Sequence, residues 1–186
     1  VTFDSGNWDS PQTVTVTGVD DDVDDGDVVY TIQTAAASSS DVNYSDLNPA
    51  DVSLINVDDD TAGFTVTESA GNTRVAESGT TDTFTVVLDA QPESDVVISV
   101  TSGDMGEVMT DKASLTFTPR NWDDAQTVTV VGVDDFFLDG DQTTIITLAV
   151  DDTNSDDAFD LLSDQTVSVT TTDDGYHGWQ NQRNQF

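Results

Sequence analysis

The residues of this chain that could do chemistry are carboxylates. It carries 37 Asp and Glu against 4 Lys and Arg, a formal net charge of -33 over 186 residues. Only Glu68, Glu77, Glu93 and Glu107 are glutamates; every other acid is Asp. The acids gather in sets: Asp134, Asp135, Asp139 and Asp141 after a long β-type run, Asp173 and Asp174 near the end, and Glu68, Glu77 and Glu107 near expected strand starts. Short Asp side chains favour turns, where loop carbonyls can join them around a cation. Calcium takes about six to eight oxygens at roughly 2.3–2.6 Å in a tolerant geometry, which several carboxylates and a carbonyl supply. The plainer alternative is a set of solvated Asp-rich turns on an acidic surface.

Other chemistries find little support. With no cysteine there are no disulfides, thiolate metal sites or Cys nucleophiles. The one histidine, His177, leaves a serine nucleophile without a general base. Carboxylate pairs are too numerous for glycosidase spacing to mean anything. A polyanion repels nucleic acid and anionic membrane, and no apolar run approaches membrane-spanning length. An EF-hand reading of Asp21 to Gly26 fails, since Val23 offers no side-chain oxygen and Ile32 stands where the closing Glu belongs. Asn43-Tyr44-Ser45 matches a glycosylation sequon, which matters only in a eukaryotic secretory setting. The chain reads as non-catalytic.

The elements that must position the acids come in two copies. Asn121-Trp122-Asp123 through Gln126-Thr127-Val128-Thr129-Val130 to Asp134-Asp135 and Asp139-Gly140-Asp141 repeats Asn7-Trp8-Asp9 through Gln12-Thr13-Val14-Thr15-Val16 to Asp20-Asp21 and Asp25-Gly26-Asp27. The offset from Asn7 to Asn121 is 114 residues, without a gap. This predicts residues 1–60 as the C-terminal part of one module, 61–175 as a complete module joined through Thr61-Ala62, and 176–186 as a trailing segment. In the first, residues 1–3 end a strand, Gln12–Val19 and Val28–Thr34 are strands, Tyr44 and Leu47 plug the sandwich end, and Val52–Val57 closes at Asp58-Asp59-Asp60. In the second, strands are expected at Phe64–Thr67, Thr83–Leu88, Val96–Thr101, Ser114–Thr118, Gln126–Val133, Thr143–Val150 and Thr166–Thr171. Period-two alternation and turn signals without helical periodicity predict an all-β fold: tandem immunoglobulin-like antiparallel sandwiches of about seven strands each. Trp8 and Trp122, just before the long strand, read as core plugs rather than sugar platforms. Consecutive acids on an extended chain face opposite sides, so both can meet one ion only where the strand has broken, as Gly26 and Gly140 allow.

Phe117, Gln126-Thr-Val-Thr-Val, Asp134-Asp135, Asp139-Gly140-Asp141 and Asp173-Asp174 together resemble the Calx-β motif. That module occurs in the calcium-binding domains of sodium–calcium exchangers and in tandem arrays of large bacterial surface proteins. The Asn-Trp-Asp and Gln-Thr-Val-Thr-Val wording, with Val75-Ala-Glu77-Ser-Gly79 upstream, is similar to repeats of giant adhesin-type proteins. Carried over by motif position, the resemblance implies calcium ligands at Glu77, Glu107, Asp134, Asp135, Asp139, Asp173 and Asp174, with the carbonyl of Phe137. In the part-module it implies Asp20, Asp21, Asp25, Asp58, Asp59 and Asp60, with the carbonyl of Val23. Gln142 and Val28 replace a glutamate frequent in the family, and Gly175 replaces a third terminal acid, which implies fewer or weaker ions in the second module. Glu68, beside Asp58–Asp60 across the linker, is expected to serve a calcium site at the module joint.

The function expected is a calcium-binding structural or adhesive repeat of a large extracellular protein at a bacterial surface. Its partners would be neighbouring modules of the same chain and a cell-surface or polysaccharide ligand, with no nucleic acid and no membrane insertion. A carbohydrate-binding sandwich module and a salt-adapted acidic spacer without a metal site are the alternatives.

Overall fold

The computed structural model describes residues 1–135 and 137–175; the expected trailing segment, with His177 and Trp179, lies outside them. Two compact units divide the chain. Val1–Asp21 and Asp25–Asp59 form one, while Asp22–Asp24 belong with the chain from Asp60 onward. No helix among the described residues is long and apolar enough to cross a membrane.

The second unit is a β-sandwich. Its strands are β3 (Phe64–Glu68), β4 (Thr73–Ala76), β5 (Thr81–Leu88), β6 (Val96–Ser102), β7 (Val108–Thr110), β8 (Ser114–Phe117), β9 (Gln126–Gly132), β10 (Gln142–Val150) and β11 (Gln165–Thr172). One sheet runs β4-β11-β10-β6-β8 and the other β3-β5-β9-β7. Alternation decides what lies between them: Phe84, Val86 and Leu88 of β5, Ile98 of β6, Leu115 and Phe117 of β8, Val128 and Val130 of β9, Ile146 and Leu148 of β10 and Val167 and Val169 of β11 are all buried. Full burial of such a side chain stabilises by roughly 1.5–3 kcal/mol. Trp122 packs partly buried against this core, and its carbonyl accepts the N–H of Leu88 at 3.1 Å, so the expected core plug is seen there.

Seven strands were expected in this unit and nine are present among its described residues. The two additions, β4 and β7, have four and three residues and too little alternation of their own to announce a strand. Neighbours hold them: β7 pairs antiparallel with β9, and β4 pairs parallel with β11, the one departure from antiparallel order among the described residues.

In the first unit, β1 (Val28–Ile32) pairs antiparallel with β2 (Val52–Asn56), with Val28 opposite Asn56. Both start where expected and stop one or two residues short. Residues 1–3 and Gln12–Val19 adopt no strand. Their counterparts in the second unit are β8 and β9, and β9 is held by β5 and β7, strands with no counterpart in residues 1–60. Alternation supplies a face but cannot supply the ladder. Tyr44 and Leu47 are exposed rather than plugging a sandwich end; the loop around them folds on itself through Ala37 N–H to Leu47 O and Asp46 N–H to Ala37 O, both 2.8 Å.

At the end of β9 the backbone of Gly132 passes so close to β4 that a Cβ there would lie 2.1 Å from the carbonyl oxygen of Ala76. Backbone cannot swing aside as a side-chain tip can. Gly132→Ala is therefore expected to lower the unfolding free energy by about 1–3 kcal/mol, measured by urea denaturation. An unchanged midpoint would mean that β4 yields freely.

Candidate metal centre

Strand direction gathers the acids at one pole. Parallel strands finish at the same end, so β4 delivers Glu77 beside Asp173 and Asp174, which follow β11; the Glu77 N–H reaches the Thr172 carbonyl at 3.1 Å. Glu107 immediately precedes β7, whose Val108 lies opposite Gly132, and its carbonyl accepts the N–H of Val133 at 2.9 Å. Asp134 and Asp135 thus leave β9 next to Glu107. The loop returns through Asp139 to Gln142, opposite Thr171 at the end of β11.

Three sets of carboxylates meet there: Glu77 with Asp139 and Asp173, Glu77 with Asp134 and Asp174, and Glu107 with Asp135 and Asp139. Within each set the ligand oxygens lie within 4.8 Å of one another. Oxygens on opposite sides of a calcium ion sit about 5 Å apart at ordinary bond lengths, so each set has the right span. Glu77 bridges the first two sets and Asp139 the first and third. All seven acids expected in this module are brought together.

Consecutive acids do not share a set, so the convergence that a broken strand would allow is not used. Asp134 and Asp135 enter different sets, and so do Asp173 and Asp174. Each pair keeps the two-sided habit of extended chain and enters neighbouring sets. The loop carbonyl expected as a ligand, that of Phe137, would lie 3.0 Å from a Cβ placed on Gly175. A third terminal acid, absent from the sequence here, would crowd that carbonyl.

Burial makes the site electrostatically costly. Glu77 is 1% exposed. Its carboxyl is pushed above the ordinary 4.5 by lost hydration first, then by the charges of Asp173, Asp135 and Asp139; the N–H of Asp174, 3.3 Å from Oε2, opposes the shift. Glu107 is raised by lost hydration and then by Asp139, Glu77, Asp135 and Asp104. Glu107 Oε2 and Thr171 Oγ1 are buried without a hydrogen-bond partner. A buried carboxylate oxygen without a donor is expensive, and a cation is the group that would satisfy it. The donors are all hard oxygens, so the residues fit calcium better than zinc or copper.

Two further acids adjoin the site. Asp141 Oδ1 accepts the N–H of Asp173 at 3.4 Å, and Asp104 lines a groove of about 390 Å³ with Glu107, Asp139 and Gln142. Asp141 belonged to a recognised acidic run, whereas Asp104 carried no spacing signal. Glu68 ends β3, and its Oε2 accepts the Thr73 hydroxyl at 2.7 Å.

The first unit repeats the frame of the site. Gly26 N–H reaches Asp58 Oδ2 at 2.6 Å and Asp58 N–H reaches Asp27 Oδ1 at 3.1 Å. In the second unit Gly140 N–H reaches Asp173 Oδ2 at 2.8 Å, and Asp173 N–H reaches Asp141. Gly26 and Gly140 hold positive φ, 77° and 81°, which L side chains adopt at a cost. Among the described residues, however, the three sets that could hold an ion all lie in the second unit; Asp20, Asp21, Asp25, Asp58, Asp59 and Asp60 join none of them, and the carbonyl of Val23 falls with the second unit.

The raised carboxyls carry a definite sign. The folded state binds their protons more tightly than the unfolded chain, so with cations chelated stability should fall as pH rises from about 4.5 through the folded values. Asp82 and Asp156 accept several N–H and O–H donors and are held below 3.8, so they act oppositely and only at lower pH. Glu77→Gln should flatten the fall above pH 4.5 and raise the chelated protein's melting temperature at pH 7, while lowering it with calcium present. Identical pH slopes for variant and parent would refute this.

No protein-family model and no curated protein sequence matches the chain. Among solved structures it is similar to the apo form of the Calx CBD1 domain, at 16% identity over 60% of this chain and 97% of that one, with a TM-score of 0.40. It is also similar to SSP-19, an MSP-domain-like protein of Caenorhabditis elegans, at 14% identity over 57% and 97%, TM-score 0.38, and to domains 1-6 of the surface layer protein SbsC, at 19% identity over 68% and 15%, TM-score 0.40. The β-sandwich assignment rests on the strand order itself.

Proposed function

We propose that this chain is a non-catalytic, calcium-binding structural repeat of adhesive type from a large extracellular protein at a bacterial surface. Its partners would be neighbouring repeat modules and a cell-surface ligand, with no nucleic acid and no membrane insertion. The observation that carries the reading is the chain of three carboxylate sets linked by Glu77 and Asp139, with Glu107 Oε2 buried among them without a donor. Glu77, Glu107, Asp134, Asp135, Asp139, Asp173 and Asp174 would hold the ions. Calcium would supply the positive charge that lets these acids lie close together.

The consequence is mechanical. The sets tie the end of β4 and the start of β7 to the loop after β9 and the residues after β11, so occupied sites would lock four chain segments at one pole. Such a module stays stiff where calcium is plentiful and softens where it is scarce. The carbohydrate alternative gains nothing from Trp122, which packs on the core instead of offering a free face.

Thermal unfolding tests the reading: the protein is stripped with chelator, then given millimolar calcium, each at low and high sodium chloride. Extracellular sites of dissociation constant about 10⁻⁴–10⁻³ M are typical, and millimolar calcium, about one- to tenfold above such a constant, stabilises by about 0.4–1.4 kcal/mol per site. The melting temperature should rise with calcium and the rise should survive high salt. If sodium chloride alone gave the same rise, the acids would be a salt-adapted surface and the proposal would fail. Asp139 belongs to two sets and Asp134 to one, so Asp139→Asn should remove more of the calcium-dependent rise than Asp134→Asn. Equal losses would contradict the shared-ligand arrangement.

A further inference from the structure

Asp139 is open to a second chemistry besides ligation. It is followed by Gly140, and the chain has three such steps: Asp25-Gly26, Asp139-Gly140 and Asp174-Gly175. Where glycine follows aspartate, the glycine nitrogen can attack the aspartate's own Cγ and close a five-membered imide ring. No Cβ obstructs the approach or the backbone rotation it needs. The N–Cγ bond forms and a Cγ–O bond breaks; the carboxylate oxygen leaves as water, with the amide proton and one proton from solvent. Water then opens the ring at either carbonyl. Opening at Cγ restores aspartate, and opening at the main-chain carbonyl gives isoaspartate, with the chain running through Cβ. Water is the only co-reactant.

The fold restrains the attacking nitrogens. Gly140 N–H is donated to Asp173 Oδ2 at 2.8 Å and Gly175 N–H to Asp173 Oδ1 at 2.6 Å. One carboxylate therefore holds both glycine peptides of the second unit, one on each oxygen. Gly26 N–H is held separately, by Asp58 Oδ2 at 2.6 Å. Ring closure needs the glycine's peptide plane to turn, so each of these bonds must open first. The carbons under attack stand differently. Asp139 and Asp174 are exposed, and both lie among other acids: Asp139 with Glu77 and Asp173 and with Glu107 and Asp135, Asp174 with Glu77 and Asp134. Without a cation, imide formation deletes one negative charge from that crowd, so repulsion favours it. A bound cation would engage the carboxylate oxygens and keep Cγ away from the nitrogen.

We propose that Asp139 and Asp174 are spontaneous modification sites, converting through the imide to isoaspartate when the Asp173 hydrogen bonds open, with bound calcium as a second restraint. The calcium part rests on the calcium reading above; the Asp173 part does not. The consequence runs one way. Isoaspartate adds one atom to the main chain and sets its carboxylate directly on Cα, one carbon shorter than before. Asp139 belongs to two carboxylate sets, so conversion there withdraws an oxygen from both at once. An interval without calcium would leave a covalent mark that later calcium does not erase.

The full chain is aged at neutral pH, with chelator or with calcium, and isoaspartate at Asp25, Asp139 and Asp174 is counted by peptide mapping. A free peptide spanning Phe137 to Gln142 is aged beside it. In chelated protein, Asp173→Ala should speed conversion at Asp139 and Asp174 by about 10- to 100-fold, the loss of a hydrogen bond to a charged acceptor, and leave Asp25 unchanged. Asp58→Ala should do the reverse. Calcium about tenfold above the dissociation constant found by titration should slow Asp139 and Asp174 in the parent by about tenfold. Asp25, which joins no carboxylate set among the described residues, is the reference. If Asp173→Ala does not fold, Asp173→Asn, with one acceptor oxygen, should release one of the two positions, and release of neither overturns the restraint. Equal acceleration at all three positions marks a general loosening and overturns it as well. Absence of isoaspartate from Asp139 and Asp174 in the chelated variant, over an interval in which the free peptide converts, overturns the whole proposal. If calcium raises the melting temperature yet leaves conversion unchanged, the second restraint falls and the calcium reading stands. If calcium does neither, the calcium reading falls, and the chelated variants still decide the role of Asp173.

Discussion

The parallel pairing of β4 with β11 is the constraint on which the site depends. Among the described residues every other strand pairing in the second unit's sheets is antiparallel and alternates strand ends between poles. One parallel pair is enough to put the end of an early strand beside the end of the last, and so Glu77 beside Asp173 and Asp174. β4 is short, and its hold comes from ladder bonds to β11 and from the turn in which the Ala76 N–H reaches the Thr80 hydroxyl at 2.7 Å and Gly79 returns to the Ala76 carbonyl at 3.0 Å. Gly132 lets β9 pass against that turn without a side chain between. Position along the chain therefore matters less for Glu77 than direction: the same residue after an antiparallel strand would lie at the other end.

Acids in this chain do two different things, and their surroundings separate them. Asp82 collects the Ser69 hydroxyl at 2.6 Å, the Thr83 N–H at 2.7 Å and the Arg74 N–H at 2.9 Å, fastening the β3–β4 turn to the start of β5. Asp156 caps the short 3-10 turn Asp157–Phe159 and accepts the Ser94 N–H at 2.8 Å. Donors favour the charged form of both, so these aspartates need no cation. Glu77 and Glu107 face chiefly other carboxylates, and both are shifted the opposite way. Partners distinguish a fastening acid from one awaiting positive charge, and burial alone does not, since Asp156 is buried too.

Much of this was legible in the sequence because the repeat and the period-two alternation are strong signals. β5, β6, β8, β9, β10 and β11 fall within a few residues of their expected spans, and the seven carboxylates of the second module were all named. What stayed hidden is what pairing decides. Thr73–Ala76 and Val108–Thr110 are strands only because β11 and β9 lie beside them, and they carry the two glutamates into place. Gln12–Val19 shows the converse: its alternation matches that of β9, and without the partners of β9 it forms no ladder. The division of Asp134 from Asp135 between two carboxylate sets follows from the pleat, but which set each enters depends on which glutamate lies across from it, and no spacing in the chain gives that.

Two copies of one sequence in different surroundings also separate intrinsic from contextual structure. The hydrogen bonds that shape the acidic loop, from the glycine N–H to the acid after the last strand and from that acid's N–H back to the loop, form in both copies. They need only local sequence and one hairpin. The core and the carboxylate sets form in one copy alone, because they need chain from the other half of the module. Loop geometry here is thus the same with and without the carboxylate sets, and Asp58 and Asp173 each accept a backbone N–H from the loop glycine. Partial ordering of this kind lowers the conformational cost left for a cation or a second half to meet. It also explains how an acidic loop can keep its shape without the glutamate that completes the site: part of the aspartates' charge is already met by N–H groups, as at Asp58 and Asp173, and the remainder falls on Glu77 and Glu107, whose neighbours are other acids.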